Sequence, residues 1–305
     1  MENPRFHSRP LKLGAWMLAL MLGAAASLVA EPAPEPQLLW PQGAPDSNGL
    51  EGPETVKGCI GNISIPTITV YKAPAEKATG AAVVVMPGGA YGVVCVEVEG
   101  MPIVRELNER GITAVMLKYR LPNQNHLIPA NDARRAIRTT RANAAEWGID
   151  AKRVGVWGFS AGGHLASTVT TVFDTGNPAS DDPVERMGSR PDFSVLFYPV
   201  ISMKEEIVHK GSRHNLIGKE DLIERYSNEL RVTPETPPCF LLHCSDDGGV
   251  PVENSLRFYQ ALVANKVPAT CLIFEAGGHG PDAFKKNPSW EASLDEWLKK
   301  RGCMK

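Results

Sequence analysis

Residues 156–167, Val-Trp-Gly-Phe-Ser-Ala-Gly-Gly-His-Leu-Ala-Ser, place Ser160 between glycines at the point where an apolar run stops and a helix-forming run begins. Gly158-Phe159-Ser160-Ala161-Gly162 is a G-x-S-x-G pattern, and it directly follows the β-rich run Arg153–Trp157. A serine on such a strained strand-to-helix turn has small neighbours that admit a substrate and keep the hydroxyl accessible at a helix N-terminus. Serine is also a favoured helix cap, so the pattern is decisive only if its chemical partners follow.

A serine hydroxyl is a weak nucleophile until a base takes its proton, and the base needs a carboxylate to orient it and stabilise its cation. In a strand–elbow–helix fold the expected chain order is Ser, then Asp or Glu, then His. After the run Cys239–Cys244 comes the acidic loop Ser245-Asp246-Asp247-Gly248-Gly249-Val250-Pro251, and after Thr270–Glu275 comes Gly277-Gly278-His279-Gly280. Asp247 is preferred as the orienting acid because it stands three residues before Val250-Pro251, leaving Asp246 to bond the loop backbone; the adjacent acid stays open. His279 is the candidate base. His164, one turn into the helix after Ser160, reads as a packed hydrogen-bonder, and His243 falls inside a strand. Stabilising an acyl-transfer oxyanion takes backbone N–H groups aimed at one point. Ala161, the residue after the nucleophile, is one expected donor. Gly89 and Ala90 are the others, in the loop Pro87-Gly88-Gly89-Ala90-Tyr91-Gly92 that follows an apolar strand. That loop lacks the G-x-G-x-x-G and P-loop lysine of phosphate sites.

From about Ile63 short β-rich runs alternate with amphipathic ones. Strands are expected at Ile68–Tyr71, Ala81–Met86, Thr113–Lys118, Arg153–Trp157, Phe193–Tyr198, Cys239–Cys244 and Thr270–Glu275, all apolar enough to be buried on both faces. Helices are expected at Ile103–Arg110, Asn131–Trp147, Ala161–Phe173, Val252–Asn265 and Trp290–Arg301. This alternation predicts an α/β fold with a mostly parallel central sheet flanked by helices on both faces. Residues 202–238 break the rhythm. As an insertion at a strand's carboxyl end, their polar His209, Arg213 and His214, together with Tyr91 of the glycine loop, are candidate substrate contacts.

The 305 residues, 43% hydrophobic and 22% charged, suit a large globular domain, and a net charge of -2 offers no basic field for nucleic acid. Arg5, Arg9 and Lys12 precede an apolar, Ala/Gly-rich stretch, Leu13 to Val29, closing on small residues. This pattern predicts a cleavable signal over 1–30, export to the periplasm or medium, and no stable membrane anchor afterwards. Residues 31–60 read as an extended, Pro-rich and mobile lead-in, and 61–305 as the catalytic domain. Six cysteines show no zinc spacing, and their pairing stays open. No metal or other cofactor is expected.

Together the motifs resemble the α/β-hydrolase superfamily, specifically its secreted acetyl xylan esterase-like, carbohydrate-deacetylating branch. Beyond the elbow, the likeness is carried by MPGGAYG, LKYRLP, DARRAIRTTRANAAEWGID, RPDFSVLFYPVISM, HKGSRHNLIG, SNELRVTPETPP and VPVENSLRFYQAL, and it covers most of the chain from about Leu38. The resemblance implies Ser160, Asp247 and His279 as triad, Gly89, Ala90 and Ala161 as oxyanion hole, and an acetylated carbohydrate as substrate. The chain departs from the branch where Ala90 replaces a third glycine and where Gly280-Pro281-Asp282 stands in place of an aromatic. A prolyl oligopeptidase-type serine peptidase shares the triad order, but the residues before Ala81 are too few for its propeller. A general short-chain carboxylesterase or lipase is the other alternative, the latter without a long apolar flap.

Overall fold

The computed structural model describes Met1 and residues 34–305, with Pro34–Lys305 forming one compact unit. The expected signal lies outside the described residues. Among the described residues ten strands follow in chain order: β1 (Gln37–Leu38), β2 (Thr55–Lys57), β3 (Cys59–Gly61), β4 (Thr67–Tyr71), β5 (Ala82–Met86), β6 (Thr113–Lys118), β7 (Val154–Phe159), β8 (Ser194–Phe197), β9 (Cys239–Cys244) and β10 (Ala269–Phe274). The helices are α1 (Met101–Glu109), α2 (Leu127–Ala142), α3 (Ala144–Trp147), α4 (Ser160–Thr171), α5 (Lys210–Leu216), α6 (Glu253–Ala264), α7 (Asp282–Lys285) and α8 (Trp290–Lys299).

Eight strands form one sheet in the order β1-β4-β6-β5-β7-β8-β9-β10, with β2 and β3 a separate hairpin. From β6 to β10 every neighbour is parallel, and β4 alone runs the other way, pairing antiparallel with both β6 and β1. The alternation of side chains explains why both faces need helices. Val84, Val156, Leu196 and Leu241 point into a core closed by Ala133, Ala136 and Ile137 of α2, Leu165 and Val169 of α4, and Phe258 and Leu262 of α6. Their neighbours Val83, Val85, Trp157, Phe159, Val195, Phe197 and Phe240 point the other way, onto Ile103, Val104 and Leu107 of α1 and Leu294, Trp297 and Leu298 of α8. The α/β layering read from the sequence is thus present. Strand β10 differs from expectation: as the sheet's edge it is half-buried, with Ile273 38% exposed.

The lead-in expected over 31–60 is not a free segment throughout. Strand β1 pairs with β4, the β2–β3 hairpin meets the loop after β5 through an Ile60–Val94 bridge, and a disulfide joins Cys59 to Cys95. Residues 40–46 are held by a buried ion pair. The Arg120 guanidinium donates to the Asp132 carboxylate and to the carbonyls of Pro45 and Asp46, while Trp40 Nε1 donates to Asp132 Oδ1 at 2.9 Å. Both charged side chains are essentially inaccessible to water, so removing one leaves the other unpaired in a low-dielectric interior, typically a loss of about 3–5 kcal/mol. Asp132→Ala is expected to lower the unfolding free energy by about that amount in a denaturant titration. A loss of only a few tenths would mean that the pair does not hold this segment.

Candidate active site

Ser160 opens α4 directly after β7, with extended Phe159 before it and φ +49° at Ser160 itself. Such a backbone is strained for a non-glycine residue and persists only where its surroundings over-determine it. Here the Ser160 carbonyl accepts from Val200 N–H at 3.0 Å, and Gly162 packs directly on the end of β5. A side chain there would bring its Cβ within 2.1 Å of the Met86 carbonyl oxygen. The serine is 6% exposed, more recessed than an open turn suggests.

The structure brings three of the sequence candidates into one relay. Ser160 Oγ lies 2.9 Å from His279 Nε2, and His279 Nδ1 lies 2.8 Å from Asp247 Oδ2. Asp247 is buried, and its Oδ1 accepts from the Gly249 and Val250 N–H groups. Burial alone would raise its pKa, but hydrogen bonds from His243, His279 and the Val250 N–H hold the carboxyl well below the usual carboxylate range. Asp246 faces elsewhere: its carboxylate accepts from the Gly277 and Gly278 N–H groups and so shapes the turn that presents His279.

The glycine loop has the geometry of a donor cradle. Gly89 at φ +129° leaves no space for a side chain, since a Cβ would lie 2.2 Å from the Val93 carbonyl oxygen. Ala90 and Tyr91 follow at φ +54° and +60°. The Gly89 carbonyl is used by Gly92 and Val93, whereas the Gly89 and Ala90 N–H groups find no acceptor among the described residues. Ala161 N–H, in the first turn of α4, is one of the donors that a helix leaves unsatisfied.

Three residues at the site carry roles that sequence reading missed. Glu99, buried in a π-helical turn, accepts from Gly88 N–H at 2.5 Å and from Tyr198 OH at 3.2 Å. The Tyr198 ring packs edge-on against His279, with centroids 4.9 Å apart, and its φ is +36°. Glu99 thereby links the donor loop to the wall behind the imidazole. Burial raises its pKa, and the Gly88 and Tyr198 hydrogen bonds and His279 only partly offset that. His243 is the third, donating to Asp247 Oδ2 at 3.1 Å while its Nδ1 meets Ser255 Oγ at 2.8 Å. Its Nε2 faces only acceptors, the Asp247 carboxylate and the Val250 carbonyl, which places the proton there. A spacing of four residues to Asp247 was the available signal, masked by the strand assignment.

The remaining candidates divide. Tyr91 is no substrate contact through its side chain: the ring is buried and its OH bonds His164 Nδ1 at 2.9 Å. His164 Nε2 in turn meets the Tyr226 carbonyl, and burial pushes this imidazole down to about 4, so it is neutral and structural. His209 caps α5 by accepting from Ser212 N–H. It lies close enough to the relay that, after burial, the His279 charge lowers its pKa while Asp247 raises it. The Arg213 guanidinium is taken up by the Met203 carbonyl and Glu205, and His214 is exposed. The insertion carrying them is docked on α4, with Asn228 Nδ2 donating to Ser167 Oγ, Thr168 Oγ1 and the His164 carbonyl.

This arrangement is matched by known proteins. The chain is 37% identical over 234 residues to an acetylxylan esterase of Xylanibacter ruminicola, covering 73% of this chain and 46% of that protein. It is 36% identical over 206 residues to endo-1,4-beta-xylanase B of Butyrivibrio fibrisolvens, 64% of this chain and 32% of the relative. The chain thus spans less than half the length of either relative. An acetyl ester-xyloside bifunctional hydrolase from Caldicellulosiruptor lactoaceticus superposes with a TM-score of 0.78 at 37% identity, over 90% of this chain and 98% of that one. The BD-FAE family pattern matches residues 68–262. With its parallel sheet, serine elbow and glycine loop after β5, the chain belongs to the BD-FAE family of α/β-hydrolases.

Proposed function

We propose that the protein is a serine esterase that removes short acyl groups, acetyl above all, from xylan-type polysaccharides or oligosaccharides through an acyl-enzyme. The relay from Ser160 through His279 to Asp247 is the observation that carries this reading, and the likeness to an acetylxylan esterase points to the substrate. Ser160 Oγ attacks the ester carbonyl carbon while His279 Nε2 takes its proton. The oxyanion is met by the N–H groups of Gly89, Ala90 and Ala161. As the tetrahedral species collapses, the C–O bond to the sugar breaks and His279 returns the proton to the departing sugar hydroxyl. A water, deprotonated by the same imidazole, then attacks the acyl-serine; acetate leaves and the proton goes back to Ser160. Asp247 stays ionised and holds His279 in the tautomer with Nδ1 protonated. No group in this sequence of steps calls for a metal.

The charged residues ahead of the apolar stretch at 13–29 support export, which would suit an enzyme acting on polysaccharide. No helix of the described residues is long and apolar enough to cross a membrane. Cleavage of the signal is tested by N-terminal sequencing of exported protein; a start at Met1 would overturn it.

Ser160→Ala is expected to reduce aryl acetate turnover by at least three orders of magnitude, and Asp247→Asn by roughly 10³–10⁴-fold. Asp246→Asn, which keeps an amide oxygen for the glycine turn, is expected to lose far less. Reversed losses for the two aspartates would move the orienting role to Asp246.

The depressed Asp247 pKa assigns the acid limb of the pH profile. Asp247 remains charged down to strongly acidic pH, so a fall in activity on mild acidification is expected to report the histidine base and not the carboxylate, since an imidazolium cannot accept the serine proton. For the same reason the stability contributed by the ionised Asp247 is present above its unfolded value and is lost only as pH falls through the lower folded value. A profile flat from mildly acidic to neutral pH would contradict a histidine base.

Acyl length separates a deacetylase from a lipase or general carboxylesterase. In a close-packed acyl site each added methylene overpacks, at about 1–3 kcal/mol. In an open apolar one it adds about 0.8 kcal/mol of binding. Specificity across acetyl, butyryl and octanoyl nitrophenyl esters is expected to drop steeply beyond the shortest; a preference for octanoyl would overturn the acetyl reading.

A further inference from the structure

Beside the donor loop lies a cleft of about 240 Å³. Its near wall begins at Tyr91 and Gly92, the two residues after Ala90, and it is joined to the donor loop by two hydrogen bonds. Asn215 Nδ2 donates to the Ala90 carbonyl at 2.9 Å, and Gln124 N–H donates to the Asn215 carbonyl at 2.9 Å. We infer that this cleft is a binding subsite for one neutral pyranose unit of the polysaccharide, next to the unit that carries the acyl group. The inference rests on the carbohydrate reading above and extends it to residues outside the insertion.

The lining specifies the ligand. Five side chains, Asn62, Asn123, Gln124, His214 and Asn215, present amides and an imidazole, and none of the lining residues is a carboxylate, lysine or arginine. Such groups both donate and accept, as sugar hydroxyls do, and they offer no counter-charge for an ionic ligand. Asn62 Nδ2 is spent on the carbonyls of Glu51 and Pro53, and Asn123 Nδ2 on that of Asn48, which leaves the Oδ1 of each without a hydrogen-bond partner among the described residues. The Gln124 amide and the His214 imidazole have no hydrogen-bond partner among the described residues. Half-buried Leu50, backed by buried Leu121, adds apolar surface of the kind that the C–H face of a ring requires. The volume falls just below the usual 300–1,000 Å³ of small-molecule sites, which suits one ring, and the polar lining is wrong for an acyl chain.

Backbone strain marks the same place. Nine non-glycine residues among those described have positive φ; Asn62, Tyr91, Asn123 and Gln124 line the cleft, while Ala90, Ser160 and Tyr198 belong to the relay and its donor loop. Strain of this kind is retained where a fixed geometry is needed for binding or chemistry. Helix α5 lies along the donor loop, since a Cβ on Gly211 would come within 3.9 Å of that of Ala90 and Asn215, one turn on, carries the bond to the Ala90 carbonyl, while none of Ser160, Asp247 and His279 lines the cleft. The cleft therefore accommodates a neighbouring ring, not the reacting ester.

The test is the double variant Gln124→Asn/His214→Ala, the first change keeping a residue that tolerates positive φ. The ratio of kcat/KM for acetylated xylooligosaccharide to that for nitrophenyl acetate is expected to fall about tenfold, through a raised KM. An unchanged ratio would overturn the subsite. Should the parent enzyme hydrolyse nitrophenyl acetate but no acetylated xylooligosaccharide, the polysaccharide reading fails. The subsite is then decided by calorimetric titration of unacetylated xylooligosaccharide into Ser160→Ala. Binding weakened about tenfold by the two cleft changes upholds it, and absent or unaffected binding overturns it.

Discussion

Backbone lies against backbone where α4 starts. Gly162 sits so close to the Met86 and Pro87 carbonyls that a Cβ would approach to 2.1 and 2.4 Å, and this contact brings the end of β5 to the first turn of α4. Because β5 and β7 are parallel neighbours, both chains leave the sheet at the same edge, and the glycine contact then closes the gap between them. The Ala161 N–H and the Gly89–Ala90 turn thus come together although 70 residues of chain separate them. Any side chain at 162 would push the two apart, and with them the N–H groups proposed to meet the oxyanion.

Around that contact the chain arranges two carboxylates with opposite environments. Asp247 receives hydrogen bonds from two imidazoles and two backbone N–H groups, and it remains ionised. Glu99, also buried, receives only Gly88 N–H and Tyr198 OH, and its pKa moves up. One group fixes the edge of the His279 ring, and the other fixes the tyrosine that packs against it. The base is therefore held from two sides by residues on different strand ends, β9 and β8, plus the loop following β5.

Much of this was legible from residue order, because the chemistry and the parallel sheet impose it. G-x-S-x-G after an apolar strand, an acidic loop after Cys239–Cys244 and a glycine-flanked histidine after the next strand could be placed without coordinates. The seven expected strands coincide with β4 to β10 to within two residues at either end. What could not be read was long-range or local in the wrong alphabet. Strands β1 to β3 are two or three residues long and form only because β4, Val94 and Cys95 are there to receive them. Glu99 lies in a charged-looking run, VEVEG, and nothing in that run says that one of its two glutamates turns inward to Gly88. Tyr91 looked like a ligand contact because it adjoins the donors, yet a φ of +60° turns its ring into the interior, toward His164.

The tie between Arg120 and residues 40–46 limits how the domain can be shortened. Two of the guanidinium's hydrogen bonds end on the carbonyls of Pro45 and Asp46, and its carboxylate partner is also bonded by Trp40. A protease that clipped after Asp46 would remove three partners of a buried ion pair at once and let water reach the α2 end of the core. Trimming before Gln37 touches none of these bonds. The minimal folded fragment therefore begins upstream of Trp40, well ahead of the first parallel strand, and resistance to digestion at this segment reports directly on whether Arg120 and Asp132 are joined.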